Sequence, residues 1–177
     1  MRPDFATNLI SHARRMLRSL WLALGASILA ILFVSQRVIE GPPEARPGMV
    51  GPLTAAAVAI ATVSYVFYRR TRLESLREAA VDQAPRAALP GLSAESASER
   101  RFMNATQQLF TRSIVAWALA DAAAVVGLNV AVVSGDRGQA LVIGVAALVL
   151  LLGLERPRIS ALEALAAELH AAPSAPE

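Results

Sequence analysis

"SIVAWALADAAAVVGLNVAVVSG", residues 113 to 135, is apolar enough to cross a bilayer, yet it carries an acid, Asp121, near its middle. A hydrocarbon core of about 30 Å takes roughly 20 apolar residues of helix. Nothing in lipid hydrates a backbone amide, so such a stretch is predicted to be helical. Three more blocks read the same way. The four predicted spans are Ser19 to Gln36, Met49 to Tyr68, Ser113 to Val133 and Gln139 to Leu154. The alternation of a barrel strand is absent.

The joins between these blocks set the expected topology. Residues 37–48 are rich in Pro and Gly, and "SGDRG" at 134–138 is a tight turn, so each closes an antiparallel hairpin. The predicted fold is an all-α integral membrane four-helix bundle made of two such hairpins. It divides into an amphipathic N-terminal segment (1–18), hairpin 1 (19–68), an arginine-rich helical loop (69–112), hairpin 2 (113–155) and a tail (156–177). The first block has a basic flank, but "LFVSQRV" offers no small-x-small cleavage site, so a retained anchor is expected. Within the loop, "YRRTRLESLREAAVD" is expected to prolong the second helix, and Pro85, Pro90 and Gly91 to end it. Ser96 to Glu99 is a capping-box signal for a helix that runs on into the third span. Ser160 to Glu163 repeats the signal ahead of a short amphipathic tail helix.

Composition agrees with a membrane class. The chain has 177 residues, of which 55% are hydrophobic, and all 17 basic residues are arginine. With abundant alanine, this suggests a GC-rich bacterial genome and hence a bacterial inner membrane. Fourteen arginines fall on the tails and the central loop; only Arg37, Arg46 and Arg137 fall on the other side. The positive-inside rule then puts both termini in the cytoplasm. Trp21, Tyr65 and Tyr68 fall near that boundary. The arginines flank apolar blocks, so their expected partners are the bilayer and anionic lipid headgroups, and no nucleic acid.

Enzyme classes find little material here. There is no cysteine, and the two histidines, His12 and His170, lie outside the apolar blocks. That excludes thiolate chemistry and leaves no intramembrane serine–histidine pair or haem ligand. No phosphate-cradling glycine loop occurs. No catalytic residue, metal or cofactor is expected.

Asp121 remains as the candidate site. An acid at mid-bilayer costs roughly 2.5–3.5 kcal/mol on insertion scales, so a polar partner or a function should offset it. Desolvation favours the neutral, protonated acid. At 1.5 Å per residue the acid lies about 12 Å in from Ser113. The same depth falls at Ser27 on the first span and Thr62 on the second, the expected hydrogen-bond partners. Asn129 is a third polar candidate. Ala116, Ala120 and Ala124 form one small-residue row, and Ala123, Gly127 and Ala131 another; such rows let helices approach closely. Ala55/Ala59 and Ala140/Gly144 repeat the spacing in spans two and four. "RSLWLALG" and "RSIVAWALAD" open spans one and three alike, as a duplicated hairpin would.

On Ala118, Leu119, Asp121, Ala122, Gly127, Leu128 and Ala131, the stretch 118–132 resembles the carboxylate helix of rotary ATPase proteolipids (subunit c). That resemblance implies a proton or cation carrier at Asp121. It covers about 15 residues, and the proteolipid's glycine-rich partner helix is missing. As a whole the chain is similar to small bacterial four-helix membrane proteins whose last span ends in a Pro/Arg motif, here "ERPRI". Three functions are therefore expected: a scaffold or accessory protein that packs with itself or a partner membrane protein, a proteolipid-like carrier, or a small transporter.

Overall fold

A computed structural model describes residues 1–38, 47–81, 96–154 and 158–171. The expected breaks at Pro85, Pro90 and Gly91, most of the 37–48 loop, and the start of "ERPRI" lie outside the described residues. Those described form helices and no strand. They are α1 (Pro3–Val38), α2 (Pro47–Arg69), α3 (Leu73–Val81), α4 (Ala97–Ser134), α5 (Arg137–Val149) and α6 (Ile159–Ala171), with a π-helical turn, Leu150–Leu154, continuing α5.

Three of these, α1, α2 and α4, are long and apolar enough to cross a membrane; the apolar run Leu141–Leu152 is shorter. The expected fourth block, Gln139 to Leu154, is helical throughout as α5 and its π turn. The 13 residues of α5 and the 5 of its π turn reach at most about 27 Å.

Local signals explain most helix ends. Ser96 Oγ accepts from the Glu99 amide at 3.2 Å, and Glu99 Oε2 accepts from the Ser96 amide at 3.3 Å. This capping box starts the 38-residue α4, which runs unbroken through residues 97–134. At the far end, Gly135 takes a positive φ of 69° and donates to the Ala131 carbonyl at 2.8 Å. Asp136 then caps α5, its Oδ1 accepting from the Gly138 amide at 2.8 Å.

Two expectations change here. The second helix does not continue past its span: it stops at Arg69, and α3 starts afresh at Leu73. The Arg112 guanidinium donates to the Arg70 carbonyl at 2.6 Å and to the Ser75 carbonyl at 3.3 Å, and so stabilises the break. Burial, and Arg70 beside it, pull the Arg112 guanidinium below its ordinary value. The tail helix begins at Ile159, one residue before the expected cap Ser160, and Ala161 donates to the Arg158 carbonyl instead.

The chain forms two compact units. The first comprises Met1–Arg18, Arg69–Ser113 and Pro157–Glu177. Its core is a set of helical stripes: Phe5, Leu9, Ala13 and Leu17 of α1, Leu76 of α3, Phe102 and Leu109 of α4, and Leu162 and Leu165 of α6, all buried. The tail helix thus buries its apolar face within the unit. Ion pairs close the rim: Arg2 with Glu99, Arg14 with Glu163, and Arg77 with Glu168. Glu99 is almost fully buried and takes three hydrogen bonds from Arg2, two from its side chain and one from its amide.

The second unit comprises Ser19–Tyr68 and Ile114–Arg156. Its buried positions are mostly small: Ala57, Ala116, Ala120, Ala123, Ala124, Ala131 and Ala147, around Trp117, Ile28 and Leu151. Its large apolar residues face outward, among them Leu29, Phe33, Val58, Val132 and Val142. Two glycines set the spacing. A Cβ on Gly127 would lie 2.7 Å from Ile143 Cγ2, and one on Gly144 would overlap Leu32 Cδ2. Gly48, in the first turn of α2, by contrast has open space around it.

That contrast predicts opposite signs. Gly48→Ala should raise the thermal midpoint in detergent, since helical Ala outdoes Gly by up to about 1 kcal/mol. Gly127→Ala should lower it, because the Cβ meets the stiff, branched Ile143, and overpacking costs about 1–3 kcal/mol. The α3–α6 contact should also depend on pH. The hydrogen bond from Arg77 holds the Glu168 carboxyl below its ordinary 4.5, and the pair raises Arg77 in turn. A depressed carboxyl stabilises the fold above its unfolded value and stops doing so as pH falls through the folded one. Amide protection of α6, corrected for intrinsic exchange, should therefore drop below about 4.5 in the wild type, and less so in Glu168→Gln.

Candidate functional site

Asp121 sits in the middle of α4, where two stripes of that helix meet. Trp117, one turn before it, and Ala124, one turn after, are buried. Ile114, Val125 and Val132, on the adjoining stripe, are 40%, 41% and 55% exposed. The acid is half-buried, and its Oδ1 is shut away with no hydrogen-bond partner. It is the only buried side-chain N or O atom among the described residues left in that state.

None of the expected partners reaches it. Thr62 Oγ1 donates at 2.8 Å to Val58, one turn back on its own helix. Asn129 Nδ2 does the same to Val125 at 3.0 Å, on an exposed face. Ser27 is half-buried on α1 and makes no bond to Asp121. Depth alone suggested these residues, and depth says nothing about which way a side chain points. The small-residue rows lie on the buried part of α4: Ala116, Ala120, Ala124, Gly127 and Ala131 are all buried.

Two polar contacts that depth counting missed do join helices. Ser64, two residues beyond Thr62, is fully buried and donates to the Ala116 carbonyl of α4 at 2.7 Å. Trp21 donates through Nε1 to the Leu151 carbonyl at 2.9 Å. Leu151 lies in the π turn, where the helix widens and carbonyls leave the regular ladder. The indole gives one carbonyl of that turn a side-chain partner. No sequence signal marked the π turn; the nearest hint was an aromatic at a span boundary.

A second feature lies elsewhere in the same unit. A groove of about 500 Å³ runs between α2 and α5, floored by Ala57, Ala123 and Ala147. Its only polar lining residues are Thr54, Thr62 and Tyr65, and Asp121 is not among its walls. Thr54 Oγ1, like Thr62 Oγ1, donates back to its own helix, at 2.9 Å to Val50. Among the described residues, no group of three acids or histidines converges as metal ligands.

No family model, curated protein or solved structure matches the chain. The likeness of residues 118–132 to a proteolipid helix therefore has no support beyond the local pattern.

The two cross-helix bonds are expected to matter separately. Ser64→Ala and Trp21→Phe should each cost about 1 kcal/mol, since each strands or frees a buried carbonyl. Sharing no atoms, they should add in the double variant, as read by thermal unfolding in one detergent.

Proposed function

We propose that the protein is a small integral membrane scaffold of four membrane helices, and that it associates through Asp121. Both termini then face the cytoplasm, and the membrane is a bacterial inner membrane. The observation that carries the reading is the unpartnered Oδ1 of Asp121, beside an exposed apolar stripe. A half-buried acid whose Oδ1 has no partner among the described residues is stabilised by one from outside. In its neutral form it both donates and accepts, and so can pair with a polar group on a second copy or a partner helix.

The surroundings favour association over transport. The exposed face of the Asp121 unit is made of large apolar side chains, which suits lipid and neighbouring helices. The groove is apolar and stands apart from the acid, so it supplies no polar path to it. On the cytoplasmic side, Arg15, Arg18, Arg69, Arg72, Arg100 and Arg101 are exposed, as headgroup contacts should be.

The test uses Val125→Cys, which places one thiol beside Asp121 in a chain that has no other. Oxidative cross-linking in vesicles should capture paired chains. Asp121→Asn, which keeps donor and acceptor, should cross-link as well as the parent. Asp121→Leu should weaken association about three- to twentyfold, the range of one interhelical hydrogen bond in lipid. Unchanged association in Asp121→Leu, together with proton flux in liposomes that Asp121→Asn abolishes, would make the acid a carrier.

A further inference from the structure

Among the described residues neither oxygen of Asp121 finds a hydrogen bond: Oδ1 is shut away, and Oδ2 is open at the surface. The positions around the acid form a regular stripe. Ile114, Ala118, Val125 and Val132 are exposed, and Asp121 and Leu128 between them are half-buried. From Ile114 to Val132 the steps alternate between four residues and three, the spacing of a seam in which side chains of one helix lodge between those of another. The stripe is about 27 Å long, close to the thickness of a hydrocarbon core.

We propose that this stripe is the seam of a parallel, twofold dimer of the chain, in which the two Asp121 acids meet each other. The proposal rests on the reading of Asp121 as a point of association and names the partner, a second copy. Three observations choose it. The first is chemistry. A neutral acid donates through one oxygen and accepts through the other, so it is complementary to itself. A twofold axis along the membrane normal sets each seam residue against its own copy. A second copy inserted the same way therefore presents the matching group at the right depth, whatever that depth is.

The second observation is clearance. An aspartate side chain is short, so two such acids meet only where helix backbones come close. Ala118, one turn before Asp121, is small and exposed on the stripe, and small residues permit that approach. The third is the state of Asn129. An antiparallel pair crossing at Val125 would set Asp121 against Asn129, but Asn129 Nδ2 already donates to the Val125 carbonyl at 3.0 Å. Opposite insertion would also carry the arginine-rich segments of one copy to the wrong side.

The experiment places single thiols on the stripe, Ala118→Cys, Val125→Cys and Val132→Cys, and two off it, Val58→Cys on α2 and Val142→Cys on α5, both well exposed. The chain has no cysteine of its own. Each variant is oxidised in vesicles of phosphatidylethanolamine and phosphatidylglycerol, at high dilution in lipid. All three stripe thiols should link to their own copy as a single dimer band, and the other two should stay at the level of random collision. Asp121→Leu should lower the three yields together about three- to twentyfold, the range of one interhelical hydrogen bond in lipid, and Asp121→Asn should keep them. The pattern along the stripe is read with Asp121 intact, so it decides the matter should Asp121→Leu misfold. Linking at Val125→Cys alone overturns the parallel seam and marks an antiparallel crossing. Linking at none of the three, or equally at all five, overturns the dimer. Sedimentation of the wild type and Asp121→Leu in detergent separates the two readings: a larger species that needs Asp121 but lacks the stripe links keeps association through the acid and strikes only the seam.

Discussion

The apolar unit depends on how closely α5 is seated. Ile143 and Gly144 are consecutive, and they meet different helices: Ile143 fills the gap left by Gly127 on α4, and Gly144 makes room for Leu32 on α1. Helices surrounded by lipid gain nothing from hiding apolar surface from one another, so contact distance decides whether they hold. One knob and one hole, adjacent in sequence, fix a helix of only 13 residues against two long ones. The rest of the unit follows from that. Small residues line the interior, and large apolar residues turn outward, the reverse of a water-soluble core.

Polar groups in this unit are nearly all answered locally. Thr54, Thr62, Ser35 and Asn129 each return a bond to their own helix. Ser64 and Trp21 do cross, and both meet backbone carbonyls. A carbonyl is a dependable target, since its position is set by the helix and not by a rotamer. Asp121 departs from the pattern: among the described residues its Oδ1 is the one buried side-chain oxygen that no helix, its own or a neighbour, answers.

Periodicity and capping carried much of the fold in the sequence. The Ser96–Glu99 box is local chemistry, four residues long, and it formed where it was read. Apolar block length marked α1, α2 and α4 as long enough to span. Contacts at a distance were not legible. Counting depth chose Thr62, but the residue that crosses to α4 is Ser64, about 200° further round α2. The halt at Arg69 comes with a contact from Arg112, which is remote in sequence, and nothing in the short amphipathic tail helix said that Leu162 and Leu165 would be buried in a core. An apolar stripe states only that something apolar covers it; lipid and protein write the same pattern.

That ambiguity bears on what the exposed apolar faces do. Asp121 belongs to a stripe of α4 that carries an unmet polar demand, and a stripe with such a demand discriminates between neighbours: hydrocarbon cannot answer it, another polar group can. The α2–α5 groove makes no polar demand along its length, and the acid is not part of its wall, so the unmet demand is confined to the α4 stripe.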